Sequence, residues 1–296
     1  MAPPRDSQLG DSELGATTTS DRHRTAAGAQ LHVLEAPAPP GAPPDTIVLL
    51  HGRGHAGAMW FPLLPALAAR RRVLAPDLPG FGASLPAKTV ARVADTETAL
   101  RFFVDPIEDL LLARAPASVT LIGHSLGGLV AIELALALRG RIPITRLVLL
   151  DAMGLGPQMT FASRCFFRLG PERLARVLGR RMFEKLNPGP PTPLGVRVAT
   201  LEYQLLTVPG DRRTASVAFG RLCPWFGPVF HRREQLAAIT APTLIVWGDR
   251  DAALPVDNAE AAVAHFPTAT LVRLPCGHSP HLEQPEAVLQ HLLPWF

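Results

Sequence analysis

Lysine is nearly missing from this chain: Lys88 and Lys185 are the only two, so arginine supplies 27 of the 29 basic residues. The formal net charge is +4. That is small for a nucleic-acid binder, which needs basic residues clustered on one face. Cysteine is also scarce. Cys165, Cys223 and Cys276 are an odd number at wide spacing. They form no CxxC or Cys/His ligand pattern, so neither a disulfide framework nor a structural zinc site is expected. Reduced thiols in a cytoplasmic protein are the expectation. No uninterrupted apolar run reaches the ~20 residues a membrane span requires. The longest stretch, 126–138, is broken by Gly127, Gly128 and Glu133. The first residues have no apolar segment of the signal-peptide kind, and Asp6, Asp11, Glu13 and Asp21 offset the arginines there. Charged residues are only 18% of the chain and hydrophobic ones 47%, which excludes a disordered chain and supplies a sizeable core.

What is present is an alternation of strand and helix signals. Residues 1–21 read as a flexible polar tail. Residues 22–25 and 30–36 flank Gly28 as a hairpin. Short apolar runs at 46–50, 72–75, 118–122, 144–150, 243–247 and 269–274 read as strands, the first typical of a strand buried on both faces. Helical patterns fall at 59–72, 96–113, 126–139, 256–265 and 285–293, with Pro106 expected to kink or split the second. Such alternation implies an α/β fold: a mostly parallel, doubly wound sheet. Ligands bind such sheets beyond the carboxyl ends of the strands.

The rhythm stops between 154 and 235. This stretch is helical in pattern, broken by Pro188, Pro190, Pro191 and Pro193. It carries thirteen Arg/Lys against five acids, a net +8, so the rest of the chain is mildly acidic. Solvated helix faces are the ordinary explanation of such charge, with an anionic substrate or acidic surface as alternatives.

Gly123-His124-Ser125-Leu126-Gly127 matches G-x-S-x-G between a strand and a helix. A serine on so tight a turn is exposed, and glycines on either side let strand and helix approach. The N–H of Leu126, at the helix start, then points at a substrate oxygen. His278 follows the last strand and is the candidate base for Ser125. Gly248-Asp249-Arg250-Asp251 follows the strand before it. Asp251 and Asp249 compete as the acid that orients the imidazole, with Asp251 favoured and Asp151 a third candidate.

These segments, together with His51-Gly52, residues 77–84 and residues 277–285, make the chain from about residue 24 onward resemble the α/β-hydrolase superfamily. The resemblance is to its lidded, serine-nucleophile branch of esterases and C–C bond hydrolases. It implies the chain order Ser125, Asp251, His278, with the aspartate of G-x-x-D as the acid. It also implies an oxyanion donor in the N–H of Arg53, beside Gly54, partnering that of Leu126. Residues 22–153 and 236–296 would form the core and 154–235 a helical cap. His51 is expected to be a buried support for its loop. His55, Trp60 and His124 are candidate substrate contacts. The cap aromatics, Phe161, Phe166, Phe167, Tyr203, Trp225 and Phe226, are expected mainly to pack the cap onto itself. The implied activity is cleavage of a small-molecule carboxylic ester through an acyl-enzyme, without metal or organic cofactor. Acyl transfer or cofactor-free lyase or C–C chemistry is the alternative, and non-catalytic ligand binding on the same fold a further one.

Overall fold

The apolar runs become one eight-stranded sheet with strand order β1-β2-β4-β3-β5-β6-β7-β8. The strands are β1 (Thr19–Arg24), β2 (Gln30–Ala36), β3 (Asp45–Leu50), β4 (Arg72–Pro76), β5 (Ser118–His124), β6 (Ile144–Leu150), β7 (Thr243–Gly248) and β8 (Ala269–Leu274). In this computed structural model the described residues are 18–87, 93–186, 192–207 and 212–296. β1 and β2 pair antiparallel, and β2 is antiparallel to β4. From β4 onward every pairing is parallel. The mostly parallel α/β sheet expected from the alternation is therefore present.

Burial on both faces explains the unbroken apolar composition. In β3, Val48 and Leu50 join the core cluster on one face, while Ile47 and Leu49 join that on the other. The strand's two-residue period sends successive side chains to opposite sides. The first face is covered by α2 (Thr96–Arg114) and α3 (Leu126–Ala137), the second by α1 (Leu64–Ala68) and the terminal α10 (Pro285–Leu292). Each fully buried leucine or valine contributes roughly 1.5–3 kcal/mol.

Three expectations change. β1 begins at Thr19, inside the segment read as a tail, because residues 19–24 pair with 30–35 along the edge. The remaining tail residues, 1–17, and the proline-rich residues 187–191 lie outside those described. The helix expected over 59–72 is a 3₁₀ turn, Gly57–Trp60, followed by the single short helix α1. Pro62 and Pro65 both lack the N–H that a longer helix would need. Conversely, α2 runs unbroken through Pro106. Burial of Phe102, Phe103, Ile107 and Leu110 on the sheet holds the helix together across the missing hydrogen bond.

Between β6 and β7 the chain leaves the sheet and forms α4 (Phe161–Leu169), α5 (Pro171–Leu186), α6 (Pro193–Thr207) and α7 (Arg212–Leu222). α7 packs back on α2. The chain then returns through β7, α8 (Asp257–Val263), β8 and the short α9 (Pro280–Glu283). No helix of the described residues is long and apolar enough to cross a membrane.

Candidate active site

Ser125 sits between β5 and α3 with φ 51° and ψ −117°, a left-handed conformation that strains any residue with a Cβ. The turn is possible because its flanking glycines admit no side chain. A Cβ on Gly123 would lie 2.3 Å from the Gly127 carbonyl oxygen, and one on Gly127 would lie 2.1 Å from that of Leu50. The strained residue is anchored on both sides. Its N–H donates to the Leu150 carbonyl at 3.0 Å, and its carbonyl accepts the Met153 N–H at 2.9 Å.

Two other loops at the same sheet edge reach the hydroxyl. His278, after β8, has Nε2 3.0 Å from Ser125 Oγ, and its Nδ1 is 2.7 Å from Asp251 Oδ2. The other Asp251 oxygen accepts the N–H groups of Ala253 (2.7 Å) and Leu254 (3.0 Å), which fixes the carboxylate. Burial alone would lower the His278 pKa. The charge and hydrogen bond of Asp251 outweigh it and set the imidazole above its ordinary value. Asp249 is elsewhere, exposed and paired with Arg273 at 2.6 Å.

Asp151 lies beneath this pair. It is fully buried, and one carboxyl oxygen accepts the Gly248 N–H at 2.8 Å while the other has no protein partner. Burial drives its pKa well above the carboxylate range, opposed by His278 and reinforced by Asp251. Burial thus favours its uncharged, protonated form, which would add no second negative charge beside Asp251. Asp151, Asp251 and His278 have donor atoms within 4.8 Å of one another, a spacing open to a cation. The upward pull of burial on Asp151 and the Asp251–His278 hydrogen bond suit a proton network better.

The loop after β3 supplies the opposite wall. His51 is buried, donates from Nδ1 to the Gly52 carbonyl (2.7 Å) and accepts the Leu78 N–H at Nε2 (2.8 Å). Burial keeps it neutral, its pKa lowered to about 4. The N–H groups of Arg53 and Leu126 donate to no protein acceptor among the described residues. The Arg53 side chain turns away into the insert, where its guanidinium pairs with Glu172 of α5 at 3.0 Å and lies 5.3 Å over the rings of Phe167 and Phe219. His55 meets Glu202 of α6 at 3.3 Å.

A cavity of about 400 Å³ opens at Ser125. Arg53, His55, His124 and His278 line it, with Phe166, Phe167 and Leu206 from the insert. Gly54 is not on its wall; at φ 79° it faces Leu206. Trp60 is a correction to the substrate-contact expectation: it is fully buried, 4.5 Å from the His281 ring, and does not line the cavity. The insert aromatics partly pack on one another as expected, Phe161 stacking on Phe226 at 6.5 Å and Phe167 meeting Phe219 at 5.2 Å. Phe166 and Phe167 face the cavity, whereas Phe161 and Phe226 are 61% and 81% exposed.

Several residues here have roles that the sequence reading did not assign. Glu283 accepts the N–H of Gly277 at 2.7 Å and of Ser279 at 3.1 Å, clamping the loop on both sides of His278. His124 Nε2 is 2.7 Å from the His278 carbonyl oxygen and donates to it. His281 is buried against His124 and Trp60, and burial holds both histidines well below the ordinary imidazole pKa. Repetition of the histidine-proline-glutamate segment in homologous chains is the signal that would have found Glu283.

Residues 47–291 match the model of the Alpha/beta hydrolase family. Among curated proteins, the chain is 29% identical to the pimeloyl-[acyl-carrier protein] methyl ester esterase of Nitrosomonas europaea, over 83% of this chain and 93% of that protein. It is 28% identical to the 2-hydroxymuconate semialdehyde hydrolase of Pseudomonas sp. CF600, over 80% and 81%. Among solved structures, the 2-hydroxy-6-oxo-6-phenylhexa-2,4-dienoate hydrolase of Rhodococcus sp. RHA1 superposes with a TM-score of 0.76 at 25% identity, covering 95% of this chain and 99% of that one.

Proposed function

We propose that this chain, which belongs to the alpha/beta hydrolase family, is a serine hydrolase that cleaves a small-molecule carboxylic ester through an acyl-enzyme. The observation that carries this reading is the continuous hydrogen-bonded line from Ser125 through His278 to Asp251, with links of 3.0 Å and 2.7 Å.

Ser125 Oγ attacks the ester carbonyl while its proton passes to His278 Nε2. The carbonyl oxygen becomes an oxyanion and takes the free N–H groups of Arg53 and Leu126; one such donor is worth about 3–4 kcal/mol. Asp251 holds the imidazole in the Nδ1–H tautomer and stabilises the imidazolium. Collapse expels the alcohol, which receives the proton from Nε2. Water then enters, gives its proton to the same nitrogen and attacks the acyl carbonyl, releasing the acid and restoring Ser125. Residues 154–235 act as a cap whose Phe166, Phe167 and Leu206 shelter the acyl group from solvent. The relative that acts on a methyl ester supports ester cleavage.

The test is labelling with a fluorophosphonate, followed by hydrolysis of p-nitrophenyl esters of graded chain length. Ser125 becomes phosphonylated, and Ser125→Ala loses both label and turnover. Folded protein that takes no label, or a Ser125→Ala variant that still hydrolyses esters at the original rate, refutes the reading.

A further inference from the structure

A second, larger cleft lies beside the Ser125 cavity. It measures about 1200 Å³ and runs between the insert helices and the start of α2. Its described lining includes eight arginines and only two carboxylates. Both carboxylates are already engaged. Asp95 caps α2 by accepting the Thr98 N–H at 2.8 Å, and Glu172 is held by Arg53. Arg212 is 7% exposed, and its Nη1 has no protein partner. Arg173, Arg176 and Arg213 are exposed and form no ion pair among the described residues.

Crowded guanidiniums repel one another, and a cleft with low-dielectric walls concentrates their field. A single carboxylate would leave most of that charge unmatched. Phosphate oxygens suit the planar guanidinium fork, and several linked phosphates would span arginines on both α5 and α7. The cleft and the Ser125 cavity share two walls, Arg53 and Phe167. A molecule occupying both would pass that pair.

We propose that this cleft binds the oligophosphate portion of a small-molecule substrate whose acyl end is presented to Ser125. The acyl half of this proposal rests on Ser125 being the nucleophile; the phosphate half does not. The substrate class is thus an acyl ester or thioester of a multiply phosphorylated alcohol or thiol.

Calorimetric titration of the full chain with sodium tripolyphosphate tests the cleft directly. Saturable binding is expected, weakened by added salt and by roughly tenfold in the exposed double variant Arg173→Glu/Arg213→Glu. Steady-state kinetics then compare two thioesters of one acyl group, on a phosphorylated and on an uncharged thiol. The phosphorylated substrate should have a KM lower by roughly tenfold, and the double variant should erase that advantage while leaving turnover of the uncharged thioester unchanged. Absence of tripolyphosphate binding, binding indifferent to charge reversal, or equal KM values would overturn the proposal. So would sedimentation with phosphatidylglycerol vesicles that tripolyphosphate does not compete. Tripolyphosphate binding by a chain whose Ser125 takes no fluorophosphonate supports the phosphate site and removes the acyl half.

Discussion

Arg53, in the loop after β3, places a guanidinium nitrogen 3.0 Å from the Glu172 carboxylate of α5, with both side chains nearly buried. The backbone N–H of the same arginine donates to no protein group among the described residues. One residue therefore joins the sheet edge to the insert, and the insert's position is coupled to the wall of the site. The pair is sealed by Phe167 and Phe219 on the guanidinium face.

Removing the carboxylate leaves a buried cation unpaired. Glu172→Gln should lower stability by about 3 kcal/mol, the usual cost of breaking a buried pair from one side. Urea unfolding monitored by circular dichroism measures it. A loss below ~1 kcal/mol would mean that the pair is in effect solvated.

Activity should follow the ionisation of His278, which must be neutral to accept the Ser125 proton. Its pKa stands above the ordinary 6.5 because Asp251 outweighs burial. The acidic limb of kcat/KM should accordingly lie above pH 6.5. In Asp251→Asn that limb should move to lower pH, since burial is then opposed only by the smaller influences of Asp151 and Glu283, and kcat should fall by about 10⁴. A pH–rate series on both proteins checks each direction.

Among the described residues, Glu283 hydrogen-bonds backbone N–H groups alone, so its loss should act on geometry. Glu283→Gln retains one acceptor oxygen but frees the other end of the clamp on residues 277 and 279. We expect kcat to drop roughly tenfold to a hundredfold with KM little changed. Fluorophosphonate labelling should slow in parallel, whereas global unfolding should shift little.

Acid should unfold the protein earlier than its carboxylates alone would require. His51 is neutral and buried, with its pKa lowered to about 4 from 6.5. Its unfolded form binds the proton first, so stability is full above pH 6.5 and drains away down to about pH 4. That single group accounts for roughly 3 kcal/mol at about 1.4 kcal/mol per pH unit. His124 and His281 shift in the same direction and add to the loss. Urea midpoints measured from pH 7.5 to 5 should fall steadily; a flat series would contradict buried neutral imidazoles.

The fold was legible where burial is two-sided. The apolar runs 46–50 and 243–247 fall within a residue of the strands Asp45–Leu50 and Thr243–Gly248, which are buried along their whole length, because a doubly covered strand tolerates few polar residues. Gly123 and Gly127 were legible because sterics leave no alternative at those positions. Helix ends were less so: local proline chemistry shortened α1, while packing on the sheet overrode it at Pro106. Within the site, Ser125, Asp251 and His278 each follow a strand, and that much can be read in one dimension. The Arg53–Glu172 pair joins distant segments, Glu283 works through amide groups common to every residue, and Trp60 turns inward against His281. None of these leaves a periodic or spaced trace along the chain.

The φ of 51° at Ser125 has a cost borne by the whole molecule. Glycine occupies that region freely, so Ser125→Gly should relieve the torsion and raise the melting temperature while abolishing turnover. The chain would then be sturdier without its reactive hydroxyl than with it, its working conformation kept in place by the very scaffold it weakens.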